Sequence, residues 1–198
     1  MSRQVQAAAL LAAVVVLGAG TQAQNSRTSD RLERQFAPGG TFHMNLSAGG
    51  YRIEGSPDSQ IRVRWRTQDP EDMDRVRSNL SVAKSDATLR LDGHGNNFRA
   101  DISVPERTHL VVRLSAGEID VRRVEGSKDI DLWAGEVRIE TGDADRYRSV
   151  SASVRAGEIA ADVFRVNKGG LFRSFKYSGK GPYELRVRLF AGEVKLVR

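Results

Sequence analysis

The chain has no cysteine among its 198 residues. That absence excludes disulfides, thiolate zinc sites, cysteine nucleophiles and a lipid carried on a processed N-terminal cysteine, so burial and backbone pairing must supply the stability. Histidine is scarce, with three residues. His43, His94 and His109 stand singly, with no pair at metal-ligand spacing and no serine in a glycine elbow, so surface or locally hydrogen-bonded roles are expected for them. No glycine-rich loop precedes a helix, and "LDGHGNN" follows a strand and reads as a turn. No run of five like charges occurs, which argues against a nucleic-acid partner despite a net charge of +6. No cofactor or metal is expected.

Long apolar runs are missing too, apart from one at the start. Ala7 to Gly20 is small or apolar throughout, but falls short of the roughly 20 residues that span a bilayer. A basic start, "MSRQVQ", precedes it, and Thr21 and Ala23 follow at the small-residue positions that signal peptidase reads. Residues 1–23 are therefore expected to be a signal peptide. The mature chain would be exported to the periplasm, cell surface or medium, with no transmembrane segment after cleavage. Residues 24–39 are polar, end in Pro38-Gly39-Gly40, and are expected to be a linker. Residues 40–198 are expected to be a single domain.

That domain is β in pattern. "TFHMNLSAG", "YRIEG", "QIRVRWRT", "ATLRLDG" and "FRADISVP" alternate apolar and polar residues. One stretch departs: Asp69 as N-cap, Pro70 at the first helical position, and Met73, Val76 and Leu80 at helical spacing predict a short helix over 70–78.

One phrase recurs, as "LSAGEIDV" (114–121), "LWAGEVRI" (132–139), "VRAGEIAA" (154–161) and "LFAGEVKL" (189–196), with a looser "LSAGGYRI" at 46–53. Before each Ala-Gly the apolar residues alternate, as in Leu110, Val112 and Leu114. After it they resume one step late, as in Ile119 and Val121. A strand of period two cannot skip a step without turning its faces over, so the phrase marks a bulge or corner. Glycine supplies the backbone freedom, and the alanine before it is expected to face inward. Corners about twenty residues apart suit a stack of short-stranded coils, in which no coil buries its inner face alone. The expected fold is all-β, a β-solenoid or single-stranded β-helix-like stack with one short helix. The alternative is a β-sandwich built from hairpins.

If coils stack in register, two outward columns result. Glu118, Glu136, Glu158 and Glu193 form one, relieved by Arg113, Arg122, Arg138 and Lys195. Ser115, Trp133, Arg155 and Phe190 form the other, with the arginine expected between two aromatics. Aromatic faces beside carboxylates and arginines offer stacking and hydrogen bonds to sugar rings. The candidate ligand-binding residues are thus Trp133, Arg155, Phe190, Glu136 and Glu158. The acidic pairs Asp129/Asp131 and Asp143/Asp145 match no full calcium loop and read as turn residues.

The run of "YRIEG" and "IRVRW", the acidic helix leading to "ATLRLDG", "ISVPERTHLVVRLSAGEIDV" and the closing "GKGPYELRVRLFAGEVKL" resembles the bacterial putative-adhesin family of β-strand-repeat proteins, a domain of unknown function. The resemblance covers residues 40–198. It implies an envelope-facing β-repeat fold without established chemistry, and no catalytic residues to carry over. The chain differs in having alanine where the family more loosely has a polar residue before the glycine. The function expected is a non-catalytic structural or adhesive module at the cell envelope. Its partner would be a polysaccharide or cell-surface polymer, or a protein at a strand edge. A carbohydrate-active β-helical enzyme is the alternative.

Overall fold

The computed structural model describes residues 31–93 and 97–198. The expected signal peptide, the first part of the expected linker, and His94 lie outside the described residues. The chain runs β1 (Arg31–Gln35), β2 (Thr41–Leu46), β3 (Gly49–Ser56), β4 (Gln60–Arg66), α1 (Pro70–Met73), β5 (Arg77–Ala83), β6 (Asp86–Asp92), β7 (Arg99–Pro105), β8 (His109–Arg122), β9 (Lys128–Glu140), β10 (Tyr147–Ala161), β11 (Val166–Ser178) and β12 (Tyr183–Val197). The twelve strands of the described residues belong to one sheet, which does not close into a barrel.

The long strands explain how one sheet makes a core. The first half of β8 pairs in parallel with β2, and its second half pairs in parallel with β3. Beyond β8 the order is β9, β12, β10, all parallel and in register through the Ala-Gly phrase. Every one of these strands bends at that phrase. Residues before the bend, such as Leu110, Val112, Ile130, Val187 and Val150, and residues after it, such as Ile119, Val137, Val194 and Ile159, all bury into one cluster. Each such aliphatic side chain contributes roughly 1.5–3 kcal/mol on burial. Antiparallel pairs flank the stack: β5 with β6, β4 with β7, β1 with β4, and β11 with β10. The fold thus combines a parallel stack of bent strands with hairpin-like flanks.

The corner has a steric cause. Gly117, Gly135, Gly192 and Gly157 have φ of +125°, +134°, +132° and +140°, a region that side-chain-bearing residues rarely enter. They also stack on one another. A methyl group on Gly135 would lie well under 3.0 Å from the carbonyl oxygen of Gly117, one on Gly192 would meet that of Gly135, and one on Gly157 that of Gly192. Glycine is required twice over, for the turn and for the approach of the next strand. The preceding alanines, expected to face inward, are only half-buried, because the skipped residue at each corner rotates them out of the core face.

Three further expectations are corrected. Within the expected linker, Arg31–Gln35 forms an edge strand on β4, and Phe36 is buried. A five-residue strand with one half-buried apolar residue, Leu32, carries too little alternation to read. The expected helix over 70–78 stops at Met73. Arg77–Ala83 pairs with β6 instead, placing Leu80 in the core, because ladder hydrogen bonds to a neighbouring strand outweigh weak helical spacing. The stacking order also differs from chain order. β10 turns back through β11, and β12 then slots between β9 and β10.

Candidate functional site

A groove of about 1110 Å³ crosses seven strands along the line of corners. Three parallel rows of residues build it. The row before the corner is polar: Arg90 stands beside Asn45, then Arg113, Asp131, Arg188, Ser153 and Ser174 in successive registers. The next row is aliphatic, with Leu91, Leu46, Leu114, Leu132, Leu189 and Val154, and forms the floor. At the corner itself stand Ser115, Trp133, Phe190 and Arg155, one per strand. Phe172 takes the equivalent place on β11, between the paired positions Arg173 and Leu171. The strand repeat therefore becomes a continuous lining.

Trp133, Phe190 and Arg155 converge as the shared phrase predicts. Trp133 and Phe190 stack with ring centroids 4.1 Å apart and planes 6° from parallel. The Arg155 guanidinium lies 5.6 Å from the Phe190 centroid. The sequence places the arginine between the aromatics. In the fold it flanks them, since the insertion of β12 makes Phe190 the neighbour of Trp133. Trp133 is 62% exposed and Phe172 77% exposed. Phe172 lies outside the repeated phrase. Its φ of +52° is unusual for a bulky residue and marks a turned-over backbone at the last corner of the row.

The polar row is a charge network. Asp131 is shared by Arg113, at 3.0 Å, and Arg188, whose Nη2 lies 2.7 Å from it. The hydrogen bond from Arg188 and the nearby Arg113 hold the Asp131 carboxyl below its usual range. Asp129 is tied to Arg113, Arg186 and Arg188. Asp143 pairs with Arg198. These aspartates are engaged by cations, and among the described residues no three His, Asp or Glu side chains gather as a metal site. His43 lies 4.0 Å from Asp86, and His109 accepts a hydrogen bond from the Ser127 backbone N–H at 3.0 Å.

The glutamate column also forms, in the order Glu118, Glu136, Glu193, Glu158. It stands beyond the glycine row and does not line the groove. Lys195 bridges Glu136 and Glu193 at 3.0 and 2.8 Å, and Arg99 lies 3.7 Å from Glu118. Arg113 and Arg122, expected to relieve this column, pair instead with aspartates. Glu136 and Glu158 are separated by β12 and do not join the aromatic group.

No family model matches the chain, and no curated protein does. Solved structures align with it at low identity. A putative cell adhesion protein from Clostridium sporogenes ATCC 15579 is 17% identical, with a TM-score of 0.49, over 84% of this chain and 97% of that one. A putative adhesin from Bacteroides fragilis NCTC 9343 is 10% identical, with a TM-score of 0.33, over 84% and 96%. One from Parabacteroides merdae ATCC 43184 is 10% identical, with a TM-score of 0.30, over 85% and 95%. Likeness at this level leaves the function of this chain to be argued from its own geometry.

Proposed function

We propose that the protein is an exported, non-catalytic β-repeat module of the cell envelope that adheres to polysaccharide through the Trp133–Phe190 platform, with Arg155 beside it. The observation that carries this reading is the stacked, solvent-facing ring pair in an open groove. Exposed ring faces bind the apolar face of a sugar, while neighbouring arginines donate to its hydroxyls. Glu136 and Glu158 fall outside the platform. Among the described residues no helix is long and apolar enough to cross a membrane. The purified protein should be retained on at least one member of a panel of neutral and acidic polysaccharides, without releasing fragments. Retention should weaken in Trp133→Ala. Released fragments would overturn the non-catalytic reading, and loss of all retention would overturn the adhesive one.

A second reading rests on β11. Among the described residues it pairs only with β10, and Leu171 is 66% exposed. An open edge of this kind accepts a strand from a partner protein. A proline placed in β11 would then abolish partner capture and spare polysaccharide retention.

A further inference from the structure

We propose that the ligand of this groove is an acidic glycan, whose carboxylates are taken by Arg90 at one end and by Arg155 and Arg173 at the other, with a sugar ring between them stacked on the face of Trp133 that Phe190 leaves free. The inference rests on the platform reading above and specifies its ligand class. Five arginines and two aspartates line the groove. Arg113 and Arg188 are already matched by Asp131 and by Asp129, which stands outside the lining, while Asp92, the second lining aspartate, lies two residues from Arg90 on β6. Arg90, Arg155 and Arg173 have no carboxylate partner among the described residues.

Two of the unmatched cations are held in place by other means. Arg155 lies against the Phe190 ring. Arg173 donates its Nε–H to the Gly169 carbonyl at 2.7 Å, which leaves its terminal N–H groups free for a ligand. Guanidinium groups beside a hydrocarbon floor raise the local positive potential and match carboxylates in a two-pronged geometry. A neutral glycan would leave that charge unanswered.

Length and openness narrow the ligand further. Arg90 on β6 and Arg173 on β11 are six strand spacings apart, about 29 Å, so a single sugar cannot reach both ends. An acyl chain is a poorer fit. The floor residues Leu91, Leu114, Leu132, Leu189 and Val154 are each at most 4% exposed and offer little surface to desolvate one. What the groove presents to solvent is the outer face of Trp133, the exposed Phe172 ring and guanidinium groups, the chemistry of a sugar-acid chain.

The test uses the purified protein with three probes, polygalacturonate, alginate and hyaluronan, each beside its carboxyl-reduced form, in titration calorimetry at several salt concentrations. At least one acidic polymer should bind, more weakly as salt rises. Its reduced form should bind about tenfold more weakly or worse. Arg155→Gln and Arg173→Gln should each weaken the acidic polymer by roughly tenfold. Trp133→Ala should weaken both forms. Arg64→Gln, exposed on β4 outside the groove, should change nothing. Equal binding of acidic and reduced forms would overturn the acidic assignment and leave the platform reading standing. An equal loss in Arg64→Gln would show diffuse attraction to net charge and overturn the site. Binding to none of the polymers, or capture only by phosphatidylglycerol vesicles, would overturn both readings.

Discussion

Replacing Gly135 by alanine tests the steric account of the corner, and two other glycines separate its parts. Gly135 combines a φ of +134° with a neighbouring carbonyl that a methyl group would overlap. Gly39 has a φ of +87° with nothing within 4 Å of the methyl position, and Gly169 has open space and no positive φ. Gly169→Ala should therefore be neutral or slightly stabilising, through the less flexible unfolded chain. Gly39→Ala should lose about 1–2 kcal/mol, the backbone strain alone. Gly135→Ala adds to that strain a displacement of the β8 backbone that disturbs the parallel pairing on both sides of β9. The loss should be about 4 kcal/mol or more, beyond the ordinary range for point substitutions. For a domain of this size that corresponds to a fall in Tm of roughly 8–16 °C. Urea and thermal unfolding followed by far-ultraviolet circular dichroism would measure all three. Equal losses for Gly39→Ala and Gly135→Ala would refute the stacking argument and leave only the dihedral one.

Other consequences concern charge. Lys128 is buried, donates to the Val124 and Gly126 carbonyls at 2.8 and 3.0 Å, and is pushed down from 10.5 to about 8, mainly by burial and then by Arg146, against the opposing pull of Glu125. Between those pH values the unfolded chain holds a proton that the folded one has released. Stability should rise there by up to roughly 3 kcal/mol. Burial lifts Tyr51 and Tyr147 to about 12, so above pH 10 the unfolded state sheds protons the fold keeps, and stability should fall. Urea midpoints should thus peak near pH 10, and Lys128→Met should flatten the rising limb. Asp131→Asn breaks pairs that are partly open to solvent and should cost at most about 1 kcal/mol, read as a small shift in urea midpoint. Trp133→Ala should lose only the stacking contact, about 0.5–1.5 kcal/mol, in the same assay.

How far the site was legible depends on which interactions are local. The step in alternation at Ala116-Gly117, Ala134-Gly135, Ala156-Gly157 and Ala191-Gly192 locates the corners, because a change of face is written into residue spacing. Shared position in the phrase likewise puts Trp133, Phe190 and Arg155 in one column. Arg90, Arg173 and Phe172 carry no such mark. Arg90 belongs to a strand without the phrase, and Phe172 reaches the corner row only through antiparallel pairing of β11 with β10. Glu136 and Glu158 share a phrase position but not a neighbourhood.

Composition, alternation and the repeated phrase by themselves determined an all-β chain whose strands bend at glycines, with its core residues at Leu110, Val112, Ile119 and their equivalents. These features follow from side-chain period and backbone sterics, which act within a few residues. Tertiary pairing alone decided that β12 lies between β9 and β10, that Trp133 stacks on Phe190, that Arg31–Gln35 joins an edge, and that residues 77–83 are strand. Ladder partners are chosen by burial and hydrogen bonding between segments far apart in the chain, and a single sequence does not encode that choice in its local spacing.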